Sequence, residues 1–497
     1  MDRHQSESPA EQEPPKGDPR AWIGLAGALL YGLMMRVEAA RGTSLWLDEL
    51  HTLHHAAAPS LGALLEGLRA DNHPPLSFVL VRASRALFGE GELALRLPAL
   101  AAGAAAVWLV YRLARRTLDR WWHGVAPWLV AASSLHLVAS AEARMYSLLA
   151  LWALLWIDGA LGLAERERGG ALRVGAATAL GLLTHYHCLH VLAVLGGAGL
   201  VALPRGRRLA LIGAAAGGAL AAAPWYAYGF LTQLGHEMPP GGSTASLRRL
   251  AEGMVHLLFH NASLAGPAKP LFVAAGGLAL VLAALGAARL VRAQQPAKRR
   301  AGILVGAAVF ALPAWAALVA MILPRAGFHW TYLTASAPPL ALLIAAAAEP
   351  GGRLPRLRLG AVFAVLLAAV LLASKNANAP SREDYRGAVR HVLTHGQPDD
   401  VVIAADWQPP LFEHGRAWDY YAPRLGDPAA LPPRLAVEQG FVLEEPERLA
   451  GAPRAYLLGR SLKPDAPVLA SLRQHYAQEE VHRFGEAIFL HVFWTPR

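Results

Sequence analysis

The stretch LPALAAGAAAVWLVYRLARR, residues 97–116, decides the fold class, because a long apolar run ends directly in a cluster of arginines. A helix needs about 20 mostly apolar residues to cross the ~30 Å hydrocarbon core of a bilayer, and cationic side chains gather where such helices reach the cytoplasm. The whole chain of 497 residues shares this character, with 54% hydrophobic and only 16% charged residues. Soluble domains carry about 25% charged residues, so the composition indicates an integral membrane protein.

About eleven apolar runs are long enough to form membrane-spanning helices. The two runs within 171–204 are short and could form one tilted span instead, and the first run is interrupted by Arg36 and Glu38. That first run could also be a cleaved signal peptide, although the residues before it lack the basic segment typical of one. The runs are 21–38, 97–113, 122–139, 145–164, 171–186, 188–204, 209–230, 270–291, 301–323, 328–348 and 357–373.

The basic residues predict how these helices are oriented. If the N-terminus is cytoplasmic, every return of the chain to that side falls on arginine and lysine, as the positive-inside rule requires. The net charge of +10 then follows from membrane topology, and nucleic acid is not expected as a partner. An odd number of spans places the C-terminus on the periplasmic or extracellular side of a bacterial plasma membrane. The basic clusters are Arg112, Arg115, Arg116 and Arg120; Arg166, Arg168 and Arg173; Arg205, Arg207 and Arg208; Arg292, Lys298, Arg299 and Arg300; and Arg353, Arg356 and Arg358.

The chain divides into three regions. Residues 1–20 are polar and rich in proline and glutamate, which predicts a disordered cytoplasmic tail. Residues 21–373 form the membrane bundle, and residues 374–497 contain the β-like segments DVVIAAD, RAYLLGR and AIFLHVFW with helix-like segments between and before them. Strands that alternate with helices predict a small α/β domain. The expected fold class is therefore mainly α, a polytopic helical bundle followed by a small outer α/β domain.

Two loops on the predicted outer side are long enough to contain helices of their own. In the first loop, 39–96, Ser60 is a candidate N-cap for one amphipathic helix and Pro75 is placed to begin a second. Both helices are expected to lie in the membrane interface. The second loop, 231–269, predicts one further interfacial helix. No internal repeat is evident, which argues against inverted-repeat transporters.

The segment SLWLDELHTLHHAAAPS, residues 44–60, places acids and imidazoles directly after the first span. A carboxylate near a surface of low dielectric constant can accept a proton from an attacking hydroxyl, and Asp48, with Glu49 beside it, is the first candidate for such a base. The histidines that follow could bind a divalent metal through nitrogen, but their spacing matches no established ligand pattern, and solvated interfacial histidines are the alternative. These histidines are His51, His54 and His55.

Other turns on the same side contribute more polar side chains. Arg144 is suited to hold a phosphate bidentately, although a salt bridge with Glu142 is the alternative. His73 precedes two prolines that restrict its backbone, while His185 and Tyr186 could equally be polar residues packed between helices. Ionisable groups at membrane depth are costly and tend to be functional, so these residues and the acids of the first segment predict one site. Its other candidate substrate-binding members are Tyr146, Arg325, His329 and Tyr332.

The motifs SLWLDE, HPPL, LFGEGELALRLPAL, SAEARMYSLLAL and LTHYH follow one another in this order, and together they carry a family resemblance. The series resembles the membrane glycosyltransferases of the C-type fold, most closely the bacterial branch related to protein O-mannosyltransferases (dolichyl-phosphate-mannose-protein mannosyltransferases) and lipid A aminoarabinose transferases. It is strongest over roughly 40–200. The tail beginning SREDYRGAVRHV resembles the soluble outer domain that often closes these chains.

The resemblance implies a transferase that takes a sugar from a polyprenyl-phosphate carrier on the outer face. The sugar passes, with inversion, to an acceptor hydroxyl of a protein, lipid or cell-envelope glycan. Asp48 is implied as the general base, and Arg144 as the group that neutralises the lipid phosphate; some relatives also bind a divalent metal. The chain departs from the family at Thr331, where an arginine is common, so Arg325 or His329 could make that phosphate contact.

Two other functions stay open at this stage. A transporter or flippase for lipid-linked glycans also needs polar groups, but it places them near the bilayer midplane and in broken helices. A glycan polymerase or ligase would act on the same class of lipid-linked substrate. The clustering of polar residues at the outer boundary favours chemistry on a lipid substrate.

Overall fold

The computed structural model describes residues 19–235, 246–260, 266–323, 328–349, 354–379, 381, 383–404, 415–435, 437–438, 442–443, 446–460 and 465–496. The candidate Arg325 and residues 1–18 of the predicted tail lie outside this range. The helices are α1 Pro19–Gly42, α2 Leu47–Ala56, α3 Leu61–Arg69, α4 Leu76–Phe88, α5 Glu92–Thr117, α6 Val125–Ala131, α7 Ser134–Ala141, α8 Tyr146–Ala164, α9 Gly170–Thr184, α10 Cys188–Ala202, α11 Arg205–Trp225, α12 Leu231–Leu234, α13 Leu247–Phe259, α14 Lys269–Val291, α15 Pro296–Gly306, α16 Leu312–Ile322, α17 Ala337–Ala348, α18 Pro355–Ala377, α19 Tyr385–His395, α20 Gly415–Leu425 and α21 Pro467–His475.

The predicted membrane spans mostly coincide with helices of the structure. By length and composition, eight helical segments of the described chain are able to cross a membrane. Gly170–Thr184 and Cys188–Ala202 are apolar but shorter, and they are two separate helices rather than one tilted span. The number of crossings, predicted as eleven, stays a prediction. The eight segments are Ala21–Gly42, Glu92–Thr117, Tyr146–Ala164, Arg205–Leu234, Gly266–Val291, Pro296–Ile322, Trp330–Ala348 and Pro355–Ala377.

The predicted span 122–139 is wrong as a single helix, because the chain breaks there between α6 and α7. The last carbonyls of a helix have no partner within it, and the interior of a membrane bundle offers no bulk water to replace one. Arg36 of α1 supplies the partners: it donates to the carbonyls of Ala131 at 3.2 Å and Val130 at 3.4 Å. Its guanidinium also donates to Nδ1 of His136 on α7 at 2.8 Å. The buried arginine that interrupts the first apolar run thus stabilises the end of α6.

Contacts between loops define two ends of the bundle. Arg116, at the end of α5, pairs with Glu165 after α8 at 3.4 Å. Lys298 of α15 pairs with Asp119 at 2.8 Å and with Glu349, after α17, at 3.3 Å. These loops, which carry or adjoin four of the five predicted basic clusters, therefore lie together at one end, which we call the basic end. The first turns of α5 and α8 lie at the opposite end.

The predicted interfacial segments are helical. The side chain of Ser60 accepts a hydrogen bond from Ala63 N at 3.0 Å and so caps α3, as predicted. Pro75 immediately precedes α4 rather than beginning it. The side of α4 that faces the protein is formed around Phe78, whereas Leu87 is 75% exposed, which suits a helix with its apolar face in a membrane interface. The second loop contains α13.

The C-terminal residues form a mixed five-stranded sheet in the order β2-β1-β5-β7-β6. The strands β1 and β5 are parallel, and β7 is antiparallel to both β5 and β6. Leu45 and Leu50, from the first loop of the bundle, share a buried apolar cluster with Tyr385 and Val389 of α19. The C-terminal part therefore packs directly on the segment that carries Asp48. The strands are β1 Val401–Ala404, β2 Arg434–Leu435, β3 Val437–Glu438, β4 Val442–Leu443, β5 Arg454–Arg460, β6 Gln478–Phe484 and β7 Ile488–Trp494.

Replacing Arg36 with methionine is expected to destabilise the protein by at least about 2 kcal/mol, because it leaves several buried acceptors without a donor. The measurement is the midpoint of denaturant-induced unfolding in detergent micelles. Arg41→Met is the matched control, since Arg41 lies on the same helix with an exposed side chain. Equal midpoints for the two variants would show that Arg36 has no role at the break.

Candidate active site

A cavity of about 340 Å³ lies at the end of the bundle opposite the basic end. Its walls come from the segment before α2, from the turn between α7 and α8, from the residues that precede α17, and from the start of the C-terminal part. It brings together residues that are far apart in sequence. The predicted site residues that line it are Asp48, Glu49, Glu142, Tyr146, His329 and Tyr332.

The helix α2 carries the candidate base and is fixed at both its first turn and its buried face. Acidic side chains in the first turn of a helix interact favourably with the helix dipole, and Asp48 and Glu49 occupy that turn. Glu383, from the C-terminal part, accepts a hydrogen bond from Leu47 N at 3.1 Å and so satisfies one of the free amides. The position of α2 therefore depends on both parts of the chain.

Glu49 forms a buried bidentate ion pair with Arg96 of α5. Its two carboxylate oxygens each lie 2.7 Å from a guanidinium nitrogen of Arg96, and both side chains are almost fully buried. The same carboxylate accepts a hydrogen bond from Ala143 N at 2.7 Å, while Arg96 also donates to the carbonyls of Thr43 and Ser44 at 2.9 and 3.0 Å. Glu49 is thus engaged in holding α1, α2, α5 and the α7–α8 turn together.

Asp48 points into the cavity and lies beside Arg144. Its side chain is 25% exposed, and Oδ2 lies 3.6 Å from Nη2 of Arg144. Arg144, with only 3% of its side chain exposed, also donates to the carbonyl of Asp48 at 3.2 Å and to Oγ1 of Thr52 at 3.1 Å. The predicted alternative, a salt bridge between Arg144 and Glu142, is not among the ion pairs of the described residues. The arginine is instead anchored to α2.

Asp71, which the sequence analysis did not single out, organises the histidines around Arg144. Arg144 donates to Nε2 of His73 at 3.5 Å, so the proton of that imidazole is on Nδ1, which faces Oδ1 of Asp71 at 3.5 Å. His51 Nε2 lies 3.2 Å from the other carboxylate oxygen. Burial opposes ionisation of Asp71, but the hydrogen bonds from His51 and His73 outweigh it and hold its pKa well below the usual range. A charged aspartate therefore orients the imidazole that supports Arg144.

Among the described residues, one group could hold a metal ion: His51, His55 and Asp71, whose ligand atoms lie within 4.8 Å of one another. The third predicted histidine, His54, is exposed and outside this group. Arg416 donates to Nδ1 of His51 at 3.3 Å, which leaves the proton on Nε2, the atom that faces Asp71. Histidines that bind metals normally donate through their second nitrogen, so the arrangement does not fit a divalent ion, and no mechanistic step below uses one.

Glu142 is a second acid beside the cavity, and its protonation state differs from that of an ordinary glutamate. Burial, with a further contribution from the neighbouring Glu49 carboxylate, raises the pKa of Glu142 to about 8. Its side chain is therefore mostly neutral at pH 7. Glu49 and Glu383 are the buried partners of Arg96 and Arg460. The remaining carboxylate of the lining is Asp48, which is 25% exposed.

Aromatic rings and imidazoles form the wall between Arg144 and α17. The ring of His185 lies 5.7 Å from that of His73 and 5.0 Å from that of Tyr332, and Tyr146 lies 6.5 Å from Tyr332. Burial lowers the pKa of His185 well below its usual value, so its imidazole is uncharged at neutral pH. Tyr186 instead donates to Gln233 and accepts from Trp225 Nε1 at 3.1 Å, as a packed polar residue would.

The residue that departs from the family pattern lies at the cavity. Thr331 is buried, and its hydroxyl is hydrogen-bonded to Nδ1 of His329 at 2.7 Å. Both residues line the cavity, and a phosphate contact by His329 stays a prediction. The other predicted replacement, Arg325, lies outside the described residues.

Residues of the C-terminal part complete the site, and three of them were not predicted as members. Ser381 Oγ accepts from Ser44 N at 2.7 Å, and Tyr421 Oη accepts from Leu45 N at 2.6 Å. Both Ser381 and Glu383 line the cavity. Glu383 stands in the SREDYRGAVRHV motif and could have been suspected on that ground. Its partner Leu47 is 336 residues away, however, so no local pattern reveals the contact.

The Glu49–Arg96 pair leads to a prediction about stability. Arg96→Met leaves the Glu49 carboxylate buried without a counter-charge and should cost about 3–5 kcal/mol. The double variant Glu49→Leu/Arg96→Met removes both charges and should recover much of that loss. Unfolding midpoints in detergent compare the two, and a double variant as unstable as the single one would contradict the assignment of the pair.

Comparisons with known proteins agree with this architecture. Residues 72–228 match the family model described as dolichyl-phosphate-mannose-protein mannosyltransferase, whereas no curated protein sequence matches the chain. The structure of ArnT from Cupriavidus metallidurans bound to undecaprenyl phosphate matches with a TM-score of 0.57 and 14% identity, over 97% of this chain and 100% of that one. The arabinofuranosyltransferase AftD from Mycobacteria matches with a TM-score of 0.50 and 15% identity, over 97% of this chain and 40% of that one.

The two kinds of match carry different conclusions. At these identities the structural matches show the fold, and the family match indicates the class of enzyme. The fold class and the resemblance predicted from the motifs are confirmed. The chain is therefore a multi-pass membrane protein, a glycosyltransferase of the C-type fold that is related over residues 72–228 to the dolichyl-phosphate-mannose-protein mannosyltransferases.

Proposed function

We propose that the protein transfers a sugar from a polyprenyl-phosphate carrier to an acceptor hydroxyl, with Asp48 as the general base. One observation carries the proposal: Asp48 lines a cavity at the end of the bundle opposite the basic end, and the guanidinium of Arg144 lies beside its carboxylate. A base for the acceptor and a cation for the phosphate are the two groups that this reaction requires. The ArnT structure that shares the fold was determined with undecaprenyl phosphate, which supports a lipid phosphate as the leaving group.

The cavity is assigned to the outer face of a bacterial plasma membrane. It lies opposite the basic end, and the positive-inside rule assigns that end to the cytoplasm. The C-terminal part packs on the cavity and therefore lies on the periplasmic or extracellular side as well. The acceptor, whether protein, lipid or glycan, would then approach from outside the cell.

The reaction proceeds by a single displacement. The acceptor hydroxyl loses its proton to a carboxylate oxygen of Asp48 as its own oxygen attacks the anomeric carbon. The bond between that carbon and the phosphate oxygen breaks, and its electron pair leaves with the polyprenyl phosphate. Attack opposite the leaving group inverts the anomeric configuration. Proton transfer by a positioned base contributes about 10²–10⁴-fold to such reactions.

Arg144 is the group proposed to stabilise the departing phosphate. Its Nη atoms are held by α2 and His73, whereas Nε is buried without a hydrogen-bond partner among the described residues. A guanidinium fixed in this way does not need to reorganise as charge develops on the phosphate, which is the condition for strong electrostatic stabilisation. Glu49, Asp71 and Glu383 act through their partners and are positioning residues.

Replacing Asp48 with asparagine should lower kcat at least about 10²-fold, because the amide cannot accept the acceptor proton. The assay is transfer of radiolabelled sugar from polyprenyl-phosphate donors in isolated membranes. Asp399→Asn, an exposed aspartate in the C-terminal part, is the matched control and should transfer at the wild-type rate. Equal transfer by Asp48→Asn and wild type would exclude the base assignment.

In the same assay, Arg144→Ala should lower kcat as well as raise KM for the donor, because the cation is proposed to stabilise both the bound and the departing phosphate. Arg144→Lys should recover part of the loss because it restores a cation without the planar fork. A flippase would behave differently, since it would move lipid in reconstituted vesicles but transfer no label in any variant. That result would overturn the proposed function as a whole.

The raised pKa of Glu142 predicts a pH dependence of donor binding. The neutral form of Glu142 predominates below pH 8. Above pH 8 the ionisation of Glu142 adds a negative charge beside the donor phosphate. KM for the donor should therefore rise about tenfold between pH 7 and pH 9, a change of about 1.4 kcal/mol that one nearby charge can supply. Glu142→Gln should remove the rise, and an identical pH profile in the variant would assign the effect to another group.

A further inference from the structure

A second cavity lies at the basic end, far from the proposed reaction. It has a volume of about 570 Å³ and opens between the first turns of α1, the last turns of α5 and the turn between α8 and α9. Arginines and aromatic rings line it together, which is unusual for a simple packing defect. The transfer of a sugar at the opposite end makes no use of it.

The aromatic part of the wall is placed as at a membrane interface. Trp22 of α1 and Trp108 of α5 are 49% and 46% exposed, although both belong to segments able to cross a membrane. Tryptophan and tyrosine are enriched where a membrane-spanning helix meets the headgroups. Tyr111 packs against Trp22 with ring centroids 5.4 Å apart. One side of the cavity therefore adjoins the acyl chains of the surrounding lipid.

The basic part of the wall contains more positive charge than its carboxylates neutralise. The buried Asp158 pairs with Arg112, Arg116 and Arg173 at 3.0, 3.4 and 2.9 Å. Glu167, which lines the cavity, pairs with the same three arginines. The remaining two arginines of the lining, Arg115 and Arg168, are exposed. In the part of the chain that the structure describes, neither forms an ion pair with a carboxylate. Two cationic side chains are thus left to face an anion.

The order of side chains along α5 matches the layers of a phospholipid. Trp108, Arg112 and Arg115 are spaced i, i+4 and i+7 and so lie on one face of the helix, with the indole nearer the hydrocarbon and the guanidinia nearer the water. Basic pockets between membrane-spanning helices on the cytoplasmic side are suited to anionic lipid headgroups. A soluble phosphate would find the same cations but would gain nothing from the exposed indoles or from the neighbouring Ile23, which is 71% exposed.

We propose that this cavity binds the phosphate of an anionic membrane phospholipid. Arg115 and Arg168 contact the phosphate, Arg112 and Arg116 form the charged floor behind it, and the acyl chains lie along the exposed face of α1 beside Trp22. The site is independent of the donor site at the other end of the bundle. Its failure would leave the proposed function unchanged.

Native mass spectrometry of the purified protein in detergent tests the site by counting retained lipids. The probes are phosphatidylglycerol, which is anionic, and phosphatidylcholine, which has the same phosphate but no net charge. The wild type should retain phosphatidylglycerol preferentially, and Arg115→Ala/Arg168→Ala should bind it about ten- to thirtyfold more weakly, as expected for the loss of two cations near a headgroup. Arg115→Lys/Arg168→Lys keeps both charges and should retain most of the affinity.

The matched control is Arg205→Ala/Arg207→Ala, which removes two arginines from another basic cluster outside this cavity. It should bind phosphatidylglycerol as the wild type does; an equal loss in the control would show diffuse attraction and overturn the site. Equal retention by wild type and Arg115→Ala/Arg168→Ala would overturn it as well. Displacement of the lipid by millimolar inorganic phosphate would assign the cavity to a free anion instead of a lipid.

The wild type supplies a second measurement that does not depend on any variant. Raising the ionic strength should weaken retention of phosphatidylglycerol several-fold, because salt screens a partly exposed ion pair, and should leave phosphatidylcholine unchanged. Parallel behaviour of the two lipids would contradict the proposal.

Discussion

The buried ion pair between Glu49 and Arg96 is the interaction on which the arrangement of the proposed site depends. An ion pair in a region of low dielectric constant is stable only when the remaining hydrogen-bonding groups of both partners are satisfied. Here the backbone carbonyls that follow α1 and the amide of Ala143 before α8 satisfy those groups, while α2 and α5 supply the two charged side chains. The requirement to satisfy two charges therefore fixes the relative positions of the elements that present Asp48 and Arg144.

A second constraint is the distribution of charge around the cavity. Asp71 is held ionised by two imidazoles, Glu142 is held mostly neutral by burial, and His185, near Tyr332, is uncharged. Arg144 is left as the principal cation beside Asp48. Neighbouring acids with different protonation states allow one to act as a base while the other does not compete for the cation. The charge of each acid around α2 is thus set by the groups that pack against it.

The sequence predicted the features that depend on local pattern. The apolar runs located the long helices, the spacing after Ser60 located α3, and short β-like runs located β1, β5 and β7. The broken run at 122–139 escaped prediction because its interruption depends on Arg36, which comes from another helix. The edge strand β6 was missed because its segment, QEEVHRF, has too many charged residues to resemble a buried strand.

The site was predicted only in part, because local patterns reveal some of its residues and not the contacts between distant ones. Asp48 and Arg144 stand in motifs that can be recognised from sequence; Asp48 lines the cavity, and Arg144 lies buried behind it. The roles of Asp71, Arg96 and Glu383 follow from partners that are distant along the chain, so no local spacing reveals them. Conversely, the histidines of the first segment attract attention by their spacing, yet Arg416 determines which nitrogen of His51 carries the proton. Tertiary contacts, which local patterns do not report, decided these cases.

The contacts of Ser381, Glu383 and Tyr421 with residues 44–47 have a consequence for biogenesis. The segment that carries Asp48 is made early and leaves the ribosome long before its partners exist, because Glu383 follows Leu47 by 336 residues. During that interval the first amides of α2 have no protein acceptor from the C-terminal part. A truncated chain could insert all its membrane helices and still lack an assembled site. The cavity is therefore complete only after the segment that contains Ser381, Glu383 and Tyr421 has been made.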